Sequence, residues 1–273
     1  MLNAASLLSE SRDVAAPAAV TPHLLWPTGP SGELRVTEDE VHVWAVQLDR
    51  DASVIREMAN LLDDDERDRA SRFRRRVDRD RFIVAHAVLR RVLARYLRKP
   101  AHSLRFRRDR FGKPSLAHRT AVTFNLTHAD SVALIAVTTG HPVGVDVERV
   151  TPLDDAFDVA ESCFAPAERR VLHAVPASRV TDTFFNCWTR KEAFIKAVGT
   201  GLSAPLKAFE VSLEPDAPAR LCRVSGSARV AASWTIEALQ PAPGYVGALA
   251  VRRTTVRVTT WQVGIPTHLG RRP

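Results

Sequence analysis

The order strand, helices, strands runs through this 273-residue chain twice, and that repetition limits the fold more than any other feature. Val41 to Leu48, VHVWAVQL, alternates apolar residues and predicts a strand with Val41, Val43, Ala45 and Val46 inward. Helices follow over Ser53 to Leu62, from the Asp63 to Glu66 acids, which suit the positive end of a helix dipole, and over Asp78 to Leu97. The last of these has Phe82, Ala85, Leu89, Val92, Leu93 and Tyr96 on one face. Short strands come next at Leu104 to Arg107, Val122 to Leu126 and Ser131 to Thr138, with turns at Arg110 to Pro114 and Thr127 to Asp130. The cycle restarts at Val143 to Val147, continues through helices at Leu153 to Cys163, Pro166 to Ala174 and from about Arg179, and closes with five strands between Phe209 and Val263. Asp65, Glu66 and Arg67 before one long helix are echoed by Glu168, Arg169 and Arg170 before the other, a weak internal likeness that hints at two related α/β halves.

The first half is assigned to residues 41–140 and the second to 141–263. Residues 1–40, rich in Ala, Pro, Ser and Thr without sustained periodicity, read as a flexible extension, and 264–273 as a tail. No apolar run approaches the roughly 20 residues that span a bilayer, and Ala4 to Leu8 is too short for a secretion signal, so a cytoplasmic protein is expected. Cys163, Cys187 and Cys222 are odd in number and widely spaced, a pattern of reduced packing residues. The net charge of +8 points to an acidic partner. Arg98 to Lys113 carries seven basic residues against Asp109 alone, and Arg69 to Arg76 is a run of five arginines without an acid.

Chemistry concentrates in four stretches. In FNCWTRKEAFIKAVGTGL, Phe185 to Leu202, the spacing of Trp188, Glu192 and Lys196 puts a carboxylate and an ammonium side by side on a helix that Gly199 and Gly201 end. Alone, that pair reads as a solvated ion pair. In PVGVDVERV, Val143, Val145 and Val147 share one side of a strand, so Asp146 and Glu148 share the other. Two carboxylates about 7 Å apart on one face repel unless a cation or solvent intervenes, and hard oxygen ligands of this kind suit magnesium; an exposed edge strand is the plain alternative. Phe111, Gly112, Lys113 and Pro114 place a flexible and a rigid residue around a lysine, as in a phosphate-holding turn or an ordinary basic hairpin. Phe124 to His128, FNLTH, finishes a strand with a hydroxyl and an imidazole.

Together these stretches look like a magnesium pyrophosphate site, and at this point the chain resembles the Sfp-type 4'-phosphopantetheinyl transferases. GKP at Gly112 to Pro114, FNLTH at Phe124 to His128, GVDVE at Gly144 to Glu148 and WTRKEAFIKAVGTGL at Trp188 to Leu202 carry the resemblance, which covers about Val41 to Val263. It implies an α/β fold of two pseudo-symmetric halves with the active site in the cleft between them. It also implies transfer of 4'-phosphopantetheine from coenzyme A to a serine of an apo acyl, peptidyl or aryl carrier protein, with release of 3',5'-ADP, by a monomer. Carried over by motif, Asp146, Glu148 and Glu192 hold magnesium. Lys113, Pro114, Thr127 and His128 line the coenzyme site, and Asp146 borders it. Lys191 and Lys196 lie on the phosphate side, Glu192 is the base, and Arg69 and Arg81 face the 3'-phosphate. The sequence departs from the family at Thr127, where serine is common, and at Glu66, where a basic residue is common; Glu168 matches a recurrent acid.

Two other classes share parts of this pattern. A magnesium-dependent nuclease also pairs strand carboxylates with a lysine, but Arg149 follows Glu148 here and the helix motif is left unexplained. A non-catalytic nucleic-acid binder would use the arginines, but Asp63 to Arg81 balances eight of them against seven acids, and few aromatics are interleaved. No nucleic-acid partner is therefore expected.

Overall fold

The computed structural model describes residues 22–201, 205–214 and 216–264. The first half runs β1 (Glu40–Gln47), α1 (Ala52–Ala59), α2 (Asp64–Ser71), α3 (Arg76–Leu97), β2 (Phe106–Arg108), β3 (Pro114–Leu116), β4 (Val122–Ala129) and β5 (Val132–Thr139). The second runs β6 (Val143–Arg149), α4 (Ala156–Cys163), α5 (Pro166–Ala174), α6 (Val180–Val198), β7 (Phe209–Val211), β8 (Leu221–Val224), α7 (Ala228–Ala231), β9 (Thr235–Leu239), β10 (Tyr245–Val251) and β11 (Arg257–Gln262). One sheet has the order β11-β1-β5-β4 and the other β6-β10-β9, with two-stranded ribbons β2-β3 and β7-β8 beside them.

The period-two pattern decides how these sheets stack. Val41, Val43 and Ala45 of β1 meet Val143, Val145 and Val147 of β6 and Leu249 of β10 in a shared core between the sheets. The opposite face of the first sheet, with Trp44, Val46 and Ile135, packs on α3. Ala248 and Ala250 of the second sheet pack on α6 with Phe185, Trp188 and Ile195. The order of layers is helix, sheet, sheet, helix, so β1 is buried on both faces and Trp44 is as enclosed as Val43. Of this second face, the alternation in the sequence places only Val46 inward.

Three further boundaries differ from expectation. Residues 1–21 of the predicted extension lie outside the described residues, but residues 22–39 pack against the domain: Leu24 and Leu34 are buried, and Gly29 N–H and Pro27 C=O bond to Gln262. β11, assigned to the second half, pairs parallel with β1 of the first sheet over Glu40–Ala45. Thr127 and His128 lie within β4, paired with Leu134 and Ala133, and the turn falls after them at Asp130. Among the described residues no helix is long and apolar enough to cross a membrane.

The repeated acidic motif has a structural meaning in both halves. Glu66 closes a capping box with Asp63 at the start of α2, and its buried carboxylate accepts from Arg90 Nε at 2.6 Å and pairs with His86 Nδ1 at 2.8 Å. Arg90, fully enclosed on α3, also donates to the Leu104 carbonyl at 2.9 Å. In the second half Glu168 caps α5 by accepting from Ala165 N–H at 2.7 Å and also accepts from Val211 N–H at 2.8 Å. Its partner is Lys191 Nζ at 2.8 Å, and Lys191 in turn donates to the Leu206 and Phe209 carbonyls at 2.9 and 2.8 Å. Each half thus ties its short capping helix and its ribbon to its long helix through one buried ion pair. Removing one partner of such a pair leaves an uncompensated charge inside. Lys191→Met is expected to lower the unfolding free energy by about 3 kcal/mol in a denaturant titration. A loss under about 1 kcal/mol, the range of exposed pairs, would contradict this role.

Candidate functional site

The site is made where the edge strands β4 and β6 run alongside each other and α6 lies across β6. Gly144 permits this approach: a Cβ there would overlap the Ala193 carbonyl and the Ala197 amide of α6. Asn125 on β4 joins the strands, its side-chain oxygen accepting from Val145 N–H at 2.8 Å. With β6 held this way, Val143, Val145 and Val147 point into the inter-sheet core and Asp146 points toward α6.

Asp146, Glu148, Glu192 and Lys196 line one cavity of about 400 Å³, together with Thr127, His128, Lys113 and Pro114 from the first half. Lys196 Nζ lies 2.5 Å from Asp146 Oδ1 and 3.0 Å from Thr127 Oγ1, and the Thr127 hydroxyl itself donates to Asp146 Oδ1 at 3.2 Å. Desolvation works against the Lys196 charge, but Asp146, Glu192 and Glu148 outweigh it, and the pKa is raised. Glu192 is pushed up to about 7, first by desolvation and then by Asp146 and Glu148, with Lys196 opposing. Buried Asp146 Oδ2 and Glu192 Oε1 have no hydrogen-bond partner. The His128 pKa is lowered, first by desolvation and then by its neighbours His86, Lys196 and Arg81, which keeps its ring neutral at pH 7.

The remaining predicted residues are placed elsewhere. Lys191 neighbours Glu192 in sequence, but successive helical side chains diverge by about 100°, and Lys191 points into the second-half core with 1% of its side chain exposed. Its ammonium is held by Glu168 and two carbonyls away from the cleft, which corrects its expected place on the phosphate side. Arg81 makes a bidentate pair with Asp49 at 2.7 and 3.1 Å and does not line the cavity. Arg69 is exposed, 5.4 Å over the Phe82 ring, and lines a neighbouring cavity with His86, Arg107, Arg108 and Pro114. Lys113 reaches the cleft wall, but its ammonium bonds to the Val143 and Ala197 carbonyls at 3.2 and 3.3 Å and to the Lys196 carbonyl. Glu66, at the position where a basic residue is common, is the buried partner of Arg90.

Asn125, Phe111 and Ile195 also line the cavity, although the sequence reading gave none of them a place in the site. A lone Asn inside an apolar strand is a signal for Asn125, because a buried amide needs a partner. Phe111 and Ile195 carry no local signal that separates lining from packing.

Comparison with known proteins agrees with this geometry. Residues 142–250 match the model of the 4'-phosphopantetheinyl transferase superfamily, and residues 50–140 match that of the 4'-phosphopantetheinyl transferase N-terminal region. The chain is 35% identical over 221 residues to the 4'-phosphopantetheinyl transferase HetI of Nostoc sp., covering 80% of this chain and 90% of that protein. It is 32% identical to the 4'-phosphopantetheinyl transferase psf-1 of Bacillus pumilus over 66% of this chain and 78% of the relative. To the 4'-phosphopantetheinyl transferase Sfp of Bacillus subtilis it is 29% identical over 58% of this chain and 69% of the relative. Two adjacent family matches, a relative spanned over nine-tenths of its length, and a cleft that gathers carboxylates and a lysine at the junction of two similar halves lead to one assignment: the chain belongs to the 4'-phosphopantetheinyl transferase superfamily and is an enzyme of Sfp type.

Proposed function

We propose that this enzyme transfers 4'-phosphopantetheine from coenzyme A to a serine of an apo carrier protein, releasing 3',5'-ADP with magnesium bound. The observation that supports it most is the convergence of Asp146, Glu148, Glu192 and Lys196 on one cavity walled by Thr127 and His128. Asp146 Oδ2 and Glu192 Oε1, buried without partners, are oxygen donors of the hard type that magnesium takes, and in this respect the residues fit the ion. Among the described residues no three acidic, histidine or cysteine side chains converge closely enough to hold an ion as they stand, Lys196 being drawn onto Asp146 instead. Asp146, Glu148 and Glu192 would hold it. When bound, it would neutralise charge developing on the pyrophosphate.

The chain's own residues supply the rest. Lys196 would leave Asp146 for a phosphate oxygen and stabilise the leaving 3',5'-ADP. The Thr127 hydroxyl and the neutral His128 ring offer hydrogen bonds to the same phosphates without adding charge. As the serine oxygen forms its bond to the pantetheine-side phosphorus, the bond from that phosphorus to the ADP oxygen breaks, and the serine proton passes to Glu192. Arg69, beside Arg107 and Arg108, remains a candidate for the 3'-phosphate, and Arg81, committed to Asp49, does not. Both walls of the cleft come from one chain, which supports action as a monomer; the proposed setting is the cytoplasm.

The direct measurement is the mass of an apo carrier domain incubated with the protein, coenzyme A and magnesium. A phosphopantetheine mass increase is expected on at least one of several fatty-acid, polyketide and nonribosomal-peptide carriers, and no increase on any would overturn the reading. In the same assay Asp146→Ala is expected to abolish transfer and weaken coenzyme A binding. Glu192→Ala should cut turnover about 10²-fold or more. Full activity in either variant would remove that residue from its role.

A further inference from the structure

The turn between β2 and β3 is where the first half reaches over the end of α6. Asp109 fixes the turn: its Oδ1 accepts from Phe111 N–H at 2.8 Å and Lys113 N–H at 2.9 Å, while its backbone closes the hairpin with Lys113 C=O at 3.1 Å. Phe111 then lies over Gly201, and the Lys113 stem lies over Gly199, the left-handed residue that ends α6 at φ 77°. The last carbonyls of a helix have no partner within it. Two of those on α6, Lys196 and Ala197, accept from Lys113 Nζ, and the third acceptor is Val143 on β6. A lysine ammonium has three N–H donors, and all three are directed at main-chain carbonyls. A cation at this end also matches the helix dipole.

We propose that Lys113 is a positioning residue: it clamps the C-terminal turn of α6 to β6, and so holds Lys196 and Glu192 against Asp146, instead of serving as a phosphate ligand. The geometry leaves it no donor for a phosphate unless the clamp opens. The residues it binds are those on which the site depends. Lys196 is bonded through its own carbonyl while its side chain reaches Asp146, and Val143 adjoins Gly144, where strand and helix touch. The role in turnover rests on the transferase reading above, but the clamp itself does not, and the experiment separates them.

Hydrogen exchange of the full chain reads the clamp without any activity. In Lys113→Met, which keeps the stem and removes the donors, amides 196–199 are expected to exchange about tenfold faster, while those at 184–188 stay unchanged. Lys113→Arg, which keeps charge and donors, should restore most of the protection. With coenzyme A and an apo carrier, Lys113→Met should lose kcat about tenfold and coenzyme A affinity less than about threefold. In the unmodified protein, saturating coenzyme A should leave amides 196–199 as protected as before or more so, a measurement that needs no variant. Unchanged exchange in Lys113→Met overturns the clamp. So does a tenfold or greater loss of coenzyme A affinity in that variant, or faster exchange at 196–199 when coenzyme A binds. A protein that transfers nothing would sink the transferase reading and leave the exchange result standing.

Discussion

The closeness of β6 to α6 governs the reactive part of this molecule, and it exists because residue 144 has no side chain. Any Cβ at that position would lie 2.2 Å from the Ala193 carbonyl oxygen and 2.3 Å from the Ala197 amide nitrogen, so the helix would have to lift away. Lys196 could then no longer approach Asp146 to 2.5 Å, and Glu192 would lose the neighbours that crowd it. A second glycine supports the contact from the other side: at Gly247 on β10 a Cβ would lie 2.6 Å from the Asp146 carbonyl. Asp146 is thus positioned by two strands and a helix whose backbones nearly touch. A charged group held that way loses little further freedom when a ligand arrives.

The two halves share a skeleton and differ in what they do with it. Both fasten a long helix with a capping glutamate, Glu66 to Arg90 and Glu168 to Lys191, spaced almost alike. Both long helices end on a left-handed residue, Arg98 in one and Gly199 in the other. Counting back from those caps, Arg95 stands where Lys196 stands. Its guanidinium lies over Trp44 and donates to the Gly32 and Pro30 carbonyls. The first-half surface that corresponds to the cleft is therefore closed by the 22–39 segment and by β11, whose Trp261 packs on Trp44. The second half keeps this surface open, and there its strand turns Asp146 and Glu148 to the cleft.

How much of this was legible follows from the range of each interaction. Asp146 with Glu148, and Glu192 with Lys196, are pairs set by local periodicity, and the strand and helix that carry them formed nearly as the spacing predicts, over Val143–Arg149 and Val180–Val198. The phosphate-side role of Lys191 came by motif, and a motif match does not say which way a side chain points relative to the core. The partner of Lys191, Glu168, lies on another helix. The same holds for Arg81, whose partner Asp49 lies 32 residues away, beyond the reach of a local motif. The β11 exchange and the packed 22–39 segment depend on long-range backbone pairing that leaves no periodic trace. The Lys113 turn was recognised as a special loop, but the acceptors of its ammonium lie 30 to 84 residues on, and no turn rule reaches that far.

Charge gives the cleft its remaining asymmetry. Three carboxylates and two lysines line the cavity, but the Lys113 ammonium is spent on backbone carbonyls, and enclosing the carboxylates costs more than Lys196 alone offsets. The imbalance falls on Glu192, whose pKa rises to about 7, because it is desolvated and faces both strand carboxylates. Lys196, in turn, is drawn onto Asp146 and Thr127. A cleft arranged this way is not at rest electrostatically. It favours ligands that bring positive charge to the carboxylates and give the lysine an anion of its own, and a metal-chelated polyphosphate does both in one step.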